Sequence, residues 1–339
     1  ARSKDALPNL LSDALAVGFD TNIGHDYIEN ADDRFDFYNR VEEKIPFDLE
    51  FFNKITDGGL PNKTLNIALA GTGVGKSLFM CHMSAAALSQ GKNVLYITLE
   101  MAEERIAERI DANLMNVPIQ DLKDLPKKMF DDRVTKIKNK IDGKLIIKEY
   151  PTASAHAGHF KALLQELKLK RSFTPDIIFI DYLNICTSQR FRAGSSANSY
   201  TIIKSIAEEL RGLAVEQDLP IVSATQTTRS GYGSSDVDLT DTSESFGLPA
   251  TADLMFALIS TEELEAQQQM MVKQLKNRYS DPTSNKRFMV GVDRSKMRLF
   301  DLADSVQKQI TDSGQDDGPV FDNSSFGNKF AGKFEEFKL

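Results

Sequence analysis

The chain has 339 residues and a formal net charge of −8, a balance that argues against a broad nucleic-acid-binding surface. It leaves room for a few basic residues that line the inside of a ring or channel. No apolar run approaches the roughly 20 residues of a membrane helix, no signal peptide opens the sequence, and Cys81 and Cys186 lie in or beside apolar stretches. We therefore expect a cytoplasmic protein with buried, reduced thiols and no membrane partner.

The first 44 residues are predicted to form a linker helix and an acidic arm. Residues 5–17 carry leucines at helical spacing, with Asp5 placed to begin the helix and Gly18 to end it. Such a short helix is marginal alone, so its apolar stripe packs either on its own domain or on a neighbouring subunit, and the sequence leaves both open. Residues 20–45 are polar and acidic, which is typical of a linker or surface arm.

From residue 45 to residue 303, apolar runs alternate with amphipathic segments. The alternation predicts one α/β domain whose mostly parallel sheet is covered on both faces. The predicted strands span residues 65–69, 94–99, 145–147, 176–181, 221–225, 252–259, 270–276, 288–292 and 297–302, and the predicted helices follow the first strand and span residues 103–114, 159–169 and 202–215. We expect a charged helical insertion at 117–142. The acidic tail at 304–339 contains phenylalanines that either dock into a partner's groove or stay disordered.

A glycine-rich turn, AGTGVGKS at residues 70–77, connects the first strand to a helix. Its glycines let backbone N–H groups close around the β- and γ-phosphates of a nucleotide, and the helix N-terminus favours their charge. Lys76 would reach the terminal phosphates and the Ser77 hydroxyl would hold Mg²⁺. We therefore predict a bound nucleoside triphosphate, ATP or GTP, with Mg²⁺; a turn of this composition without a ligand is the alternative. The residues expected to contact the nucleotide are Gly71, Thr72, Gly73, Val74, Gly75, Lys76, Ser77 and Leu78.

Polar side chains follow three further predicted strands, where ligands of open parallel sheets bind. Asp181 ends the apolar run IIFI and fits the carboxylate that holds Mg²⁺ through water in phosphate-loop NTPases. Glu100 is not needed by the metal and can orient and deprotonate the attacking water; for Glu100 alone, the alternative is a glutamate that stabilises a helix N-terminus. Gln226 can hydrogen-bond the γ-phosphate and report hydrolysis to the adjoining loop. Together these residues predict a hydrolase.

Five segments occur in an order that resembles one family. They are AGTGVGKS, YITLEM, IIFIDYLNI, SATQTTR and ADLMFALI, and together they resemble the RecA-type motor domain of DnaB-family replicative DNA helicases, including those of bacteriophages. The resemblance covers residues 45–300. It implies a RecA-like fold, a homo-hexameric ring around single-stranded DNA, and ATP bound between subunits. It also implies a missing N-terminal domain, a linker helix at 5–17 that docks on the adjacent subunit, and partners such as primase, a helicase loader and other replisome proteins in an infected bacterial host.

The resemblance also assigns residues outside the nucleotide pocket. Lys276 and Arg278 match the family's Lys-x-Arg, whose arginine acts in trans on a neighbour's γ-phosphate; without the family, two solvated basic residues at a strand end would be the simpler interpretation. The family's DNA-binding loops fall on residues 188–200 and 227–248. The DNA-binding residues expected there are Arg190, Arg192, Arg229 and Ser230.

Two other functions share parts of this pattern. A strand-exchange recombinase would have the same fold, phosphate loop and a glutamate after the second strand. An ATP-gated DNA clamp or loader would bind DNA without productive unwinding. The Leu-Glu-Met context of Glu100 and the leading helix favour the helicase.

Overall fold

The computed structural model describes residues 26–39, 43–191, 198–227 and 247–307. The chain divides into two compact units, residues 1–43 and 44–339. In the first unit, helix α1 spans Ala31–Asn39, within the segment expected to be an arm. The carboxylate of Asp26 begins this turn by accepting the backbone N–H of Glu29 at 2.8 Å. The linker helix predicted at 5–17 lies outside the described residues, as does the tail beyond residue 307.

The second unit is built on a single sheet in the order β3-β2-β4-β5-β1-β6-β7-β8-β9. The strands are β1 (Leu65–Ala70), β2 (Val94–Thr98), β3 (Leu145–Glu149), β4 (Ile177–Asp181), β5 (Ile221–Gln226), β6 (Leu254–Ile259), β7 (Gln269–Asn277), β8 (Arg287–Asp293) and β9 (Arg298–Asp301). The pairings from β3 to β6 are parallel and those from β6 to β9 antiparallel. The predicted α/β fold with a mostly parallel sheet is confirmed.

Helices cover both faces of this sheet. They are α2 (Glu50–Ile55), α3 (Lys76–Ser89), α4 (Glu103–Met115), α5 (Lys127–Lys140), α6 (Ala157–Arg171), α7 (Ser199–Gln217), α8 (Gly247–Thr251), α9 (Glu262–Ala266) and α10 (Asp304–Gln307). Residues 117–142 contain a 3₁₀ turn and α5, so the helical structure predicted for this charged segment is confirmed. No helix in the part of the chain that the structure describes is long and apolar enough to cross a membrane.

The core has two halves, one on each face of the sheet. Every residue of β1 is buried: Ala68 contacts one half and Ile67 the other. The first half contains an aromatic cluster in which the Phe52 ring lies 5.1 Å from Phe256 and 5.2 Å from Phe288, centroid to centroid. Such edge-on contacts between aromatic rings strengthen a core beyond the area they bury. The small alanines of β1 leave room for these rings.

Both cysteines are free and buried, as predicted from their apolar surroundings. Burial raises the pKa of each thiol to about 12. These thiols are therefore protonated and unreactive at neutral pH, because the thiolate is the reactive form.

The sheet has two edges with different chemistry. Parallel pairing aligns Ala70 with Gln226 and Thr98 with Asp181, so the carboxyl ends of these strands form one edge, which we call the carboxyl edge. The starts of β1 and β6 form the opposite amino edge. Because β7 is antiparallel to β6, its last residue, Asn277, pairs with Leu254. The residues that follow β7 therefore lie at the amino edge.

Candidate functional site

The phosphate loop joins β1 to α3 at the carboxyl edge. Gly73 has a φ of +78° and Gly75 a φ of +139°, which residues with a side chain rarely adopt. A Cβ at Gly75 would also lie 3.0 Å from the Met270 methyl carbon. The backbone conformation therefore requires glycine there, and a Cβ would in addition displace the end of the Met270 side chain by a few tenths of an ångström. The helix begins at Lys76, so the N–H groups of its first turn face the loop.

The Lys76 ammonium lies across the loop and donates to the backbone carbonyls of Ala70 at 3.3 Å and Gly71 at 3.2 Å. Burial lowers its pKa, while the carboxylates of Glu100 and Asp181 raise it. A partly buried cation with only weak carbonyl contacts favours an anion nearby.

The loop borders a pocket of about 320 Å³ that brings most of the predicted nucleotide residues together. The predicted residues in its lining are Thr72, Gly73, Gly75, Lys76, Ser77, Leu78, Glu100 and Gln226. The Gln226 amide donates to the Thr72 hydroxyl at 2.6 Å, which connects the end of β5 to the phosphate loop. Glu100 is exposed to the pocket. The four predicted strand ends do meet at one edge.

Asp181 is fully buried at the end of β4. Its Oδ2 accepts the Tyr96 hydroxyl at 2.8 Å, and its Oδ1 has no hydrogen-bond partner among the described residues. Burial raises the pKa of Asp181, whereas the Tyr96 hydrogen bond, the Ser77 hydroxyl and the nearby cations lower it. A buried carboxylate oxygen lacking a partner is costly. Beside the Ser77 hydroxyl, it offers oxygen atoms of the kind that Mg²⁺ binds, so these residues fit the predicted metal.

Four pocket residues were not predicted from the sequence: Arg109 on α4, Tyr182 after β4, Arg294 after β8, and Met297 just before β9. Arg294 donates to the carbonyls of Gly73 at 3.3 Å and Val74 at 3.1 Å. β7 is antiparallel to β6 and β8 is antiparallel to β7, so β8 runs in the same direction as β6 and ends at the carboxyl edge. Knowing the directions of β7 and β8 would have identified Arg294. Nothing in the sequence marks Arg109, because it lies within a helix.

Lys276 and Arg278 do not reach this pocket. The Lys276 ammonium donates to the carbonyls of Pro249 and Ala250. Arg278 donates to the Asp253 carboxylate at 2.7 Å. Both residues lie at the amino edge, where β6 begins.

Of the predicted DNA-binding residues, the structure describes Arg190. Its guanidinium pairs with Glu208 and approaches Glu209 at 4.0 Å. The Glu209 carboxylate also accepts the backbone N–H of Gln189 at 3.1 Å, which fixes the start of the loop to α7. Arg192, Arg229 and Ser230 lie outside the described residues.

A nine-stranded, mostly parallel sheet with a phosphate loop after a central strand defines a RecA-like P-loop NTPase domain. The model of the DnaB-like helicase C-terminal domain matches residues 45–294. The chain therefore belongs to the DnaB-like helicase family, as its motifs indicated.

Two relatives agree with this assignment. The DnaB-like replicative helicase of Enterobacteria phage T4 is 44% identical over 311 residues, which are 91% of this chain and 65% of that relative. The replicative DNA helicase DnaB of Helicobacter pylori J99 is 27% identical over 203 residues, 59% of this chain and 40% of the relative. The chain thus spans less than two thirds of either relative.

Two solved structures share the fold. A DnaB-like replicative helicase, described with its interactions with primase, has a TM-score of 0.67 at 17% identity, over 88% of this chain and 72% of that one. A second structure, described as an ATPase domain, has a TM-score of 0.66 at 17% identity, over 81% of this chain and 97% of that one.

Proposed function

We propose that this chain is the ATP-driven motor of a replicative DNA helicase, which assembles as a ring and moves along single-stranded DNA to unwind a duplex. The observation that carries the proposal is the meeting of Lys76, Ser77, Glu100 and Gln226 around one pocket. The phage T4 relative, itself a DnaB-like replicative helicase, supports the choice of reaction. The relatives give no support to a recombinase or a clamp loader.

In the proposed mechanism, backbone N–H groups of residues 71–78 and the Lys76 ammonium hold the phosphates of ATP or GTP. Ser77 and, through water, Asp181 would hold Mg²⁺, which neutralises phosphate charge when bound. Glu100 is the general base that orients the attacking water and accepts its proton. Gln226 faces the γ-phosphate. Its amide contacts Thr72 at 2.6 Å, so a change at the phosphate would be passed to the loop that begins at residue 227.

The arginine that completes this site comes from a neighbouring subunit in our proposal. β1 separates the two edges of the sheet by about 17 Å, at roughly 3.3 Å per residue, and Arg278 lies at the edge opposite Lys76. That separation greatly exceeds hydrogen-bond reach of about 3 Å. Arg278 therefore cannot serve its own pocket without refolding, but a ring would bring the amino edge of one subunit to the pocket of the next. Lys276 would act there in trans as well.

The assembly that follows is a homo-hexamer with single-stranded DNA in its channel. Arg190, Arg192, Arg229 and Ser230 would contact the DNA backbone without reading sequence. Residues 45–303 would be the motor domain, 1–44 the linker helix and arm, and 304–339 a flexible tail. Primase is a proposed partner because one structural relative is described with it; a loader and other replisome proteins would act in the host cytoplasm.

The test combines assembly with activity. Electron microscopy or native mass measurement with an ATP analogue and an oligonucleotide should give a ring of six subunits. Hydrolysis should rise on adding single-stranded DNA, and a forked duplex should be unwound. Hydrolysis without unwinding would favour a recombinase, whereas DNA binding without turnover would favour a clamp.

A further inference from the structure

Asp253 is a buried carboxylate at the amino edge, directly before β6. It is 4% exposed. Its Oδ2 accepts the backbone N–H of Leu65 at 3.0 Å, and its own N–H donates to the Leu65 carbonyl at 2.8 Å. Side chain and backbone together therefore fix Asp253 to the first residue of β1. A carboxylate so deeply buried needs compensating charge.

Two arginines from different elements supply that charge. Arg211 on α7 donates its Nε to Oδ2 and its Nη2 to Oδ1, each at 3.1 Å, in a bidentate pair. Arg278 donates its Nη1 to Oδ1 at 2.7 Å, and its backbone N–H donates to the Asp253 carbonyl at 3.0 Å. Arg211 alone would balance one carboxylate. The charge of Arg278 is therefore not cancelled within the cluster and remains available to an external anion.

The Arg278 guanidinium is held on one side and open on the other. Its Nη1 contacts Asp253, and its Nη2 contacts the Ala250 carbonyl at a long 3.4 Å. A guanidinium has further N–H donors, and no other side-chain contact of Arg278 occurs in residues 247–307 or the other described segments. The side chain is 47% exposed. Its free donors therefore face solvent while its inner edge is anchored.

We propose that Asp253 is a positioning residue for Arg278, with Arg211 as the charge that lets Asp253 anchor Arg278 without neutralising it. The inference rests on the proposed trans role of Arg278. An unanchored arginine samples many rotamers, and ordering them at the moment of reaction costs free energy. The anchored guanidinium presents its open side to the neighbour's terminal phosphate already ordered, which is the preorganisation that transition-state stabilisation requires.

The test uses Asp253→Asn and Asp253→Glu in the full chain, with DNA-stimulated turnover and nucleotide affinity measured separately. Asn keeps the shape but removes the charge. Glu keeps the charge but moves the carboxylate by one methylene. Asn weakens the anchor by removing its charge, and Glu displaces it. A misplaced guanidinium shifted by about 1 Å can cost roughly 10²-fold in rate, so turnover should fall by up to about 10²-fold in both variants, with nucleotide affinity unchanged. If Asp253→Asn fails to fold, Asp253→Glu carries the same measurements.

Mixed assemblies distinguish positioning from general damage. Subunits with Asp253→Asn should regain hydrolysis when mixed with Lys76→Ala subunits, whose Asp253 and Arg278 are intact. Subunits with Asp253→Asn should not regain hydrolysis with Arg278→Ala subunits, because both variants fail to present a functional Arg278 to the neighbouring pocket. Damage to β1 itself would impair the variant's own phosphate loop and abolish the first rescue. In a chain that already carries Arg278→Ala, Asp253→Asn should cause no further loss.

The matched control is Asp218→Asn at the same edge. Asp218 pairs with Lys63 at 3.7 Å and has no contact with Arg278, so turnover should not change. The inference is overturned if both Asp253 variants turn over at the wild-type rate, or if their loss adds to that of Arg278→Ala. It is also overturned if Lys76→Ala rescues Arg278→Ala but not the Asp253 variants. Failure of Lys76→Ala to rescue Arg278→Ala would instead mean that Arg278 acts in cis or that one dead site stalls the ring, and the double variant would then decide whether Asp253 acts through Arg278.

Discussion

A buried aspartate lies at each of the two edges of the sheet, and the two carboxylates differ in how many hydrogen-bond donors they receive. Asp181 at the carboxyl edge accepts the Tyr96 hydroxyl through its Oδ2, and its Oδ1 has no partner in the described part of the chain. Asp253 at the amino edge receives donors from Leu65, Arg211 and Arg278. The carboxyl edge is thus incomplete without a ligand, whereas the amino edge is satisfied within the chain.

The cationic side chains at the two edges, Lys76 and Arg278, also differ in whether a carboxylate within the chain anchors them. Lys76 donates to two backbone carbonyls, at 3.2 and 3.3 Å, its ammonium lies 5.7 Å from the Tyr182 ring centroid, and burial lowers its pKa. Arg278 is anchored on a carboxylate and exposes its other side. One edge therefore has the features of a site that receives an anion, and the other has those of a site that presents a cation to one. Four substitutions test this difference.

The largest effect is expected for Lys76→Ala, which should abolish nucleotide binding and hydrolysis while the fold remains intact. A ligand at about 100 times its Kd stabilises a protein by about 2.7 kcal/mol, and this variant should lose that gain in thermal unfolding with nucleotide. The control is Lys128→Ala, at an exposed lysine of α5, which should keep the stabilisation by nucleotide. Unchanged nucleotide affinity in Lys76→Ala would contradict the assignment of the pocket.

Arg278→Ala should bind ATP normally but lose about 10³–10⁵-fold in turnover, as expected for a trans arginine of P-loop NTPases. Mixing it with Lys76→Ala subunits should restore some hydrolysis, because some interfaces then combine an intact Lys76 with an intact Arg278. Arg105→Ala, at an exposed arginine paired with Glu108, should leave turnover unchanged.

Mixtures that never exceed the sum of the separate activities, with subunit exchange verified, would leave two explanations: Arg278 acts in cis, or one dead site stalls the ring. Titrating wild-type subunits into each variant separates them. A ring that stalls loses activity far more steeply than linearly with the fraction of dead subunits.

Glu100→Gln should keep ATP binding and assembly but lose about 10²–10⁴-fold in hydrolysis, the usual contribution of a positioned base. The substitution is nearly isosteric and removes only the proton acceptor. The defect of Glu100→Gln lies in the variant subunit's own pocket, while its Arg278 is intact. Mixing with Arg278→Ala subunits, whose pockets are intact, should therefore restore hydrolysis, and mixing with Lys76→Ala subunits should not. Single-turnover hydrolysis within a few-fold of wild type would show that another group activates the water.

The smallest effect is expected for Tyr96→Phe, which removes the 2.8 Å hydrogen bond from the Tyr96 hydroxyl to Asp181 Oδ2. Losing a partner of a buried acceptor costs about 1–3 kcal/mol, and the pKa of Asp181 should rise further because the Tyr96 hydroxyl lowers it. Urea unfolding without nucleotide measures the loss. Tyr200→Phe, outside both edges, is the control. Equal stability of wild type and Tyr96→Phe would mean that the Tyr96 hydrogen bond does not contribute to the stability of the fold.

The sequence was informative wherever function depends on a local pattern. The run from Leu65 to Ser77 specifies a buried strand, a glycine turn that tolerates positive φ, and a helix start; these depend on neighbouring residues, so they can be predicted without the rest of the fold. The alternation of apolar runs likewise gave the parallel sheet. Polar residues at the ends of β2, β4 and β5 could be predicted to meet because parallel strands end at the same edge.

Only the tertiary structure decided which distant side chains share each edge. Arg294 contacts the phosphate loop because β8 runs parallel to β6 and therefore ends at the carboxyl edge. Arg278 lies at the amino edge because β7 runs antiparallel to β6. Asp253 looks in the sequence like one polar residue before an apolar strand. Its role depends on Arg211 and Arg278, which are 42 and 25 residues away, and such contacts follow from strand order and direction, which no local pattern encodes.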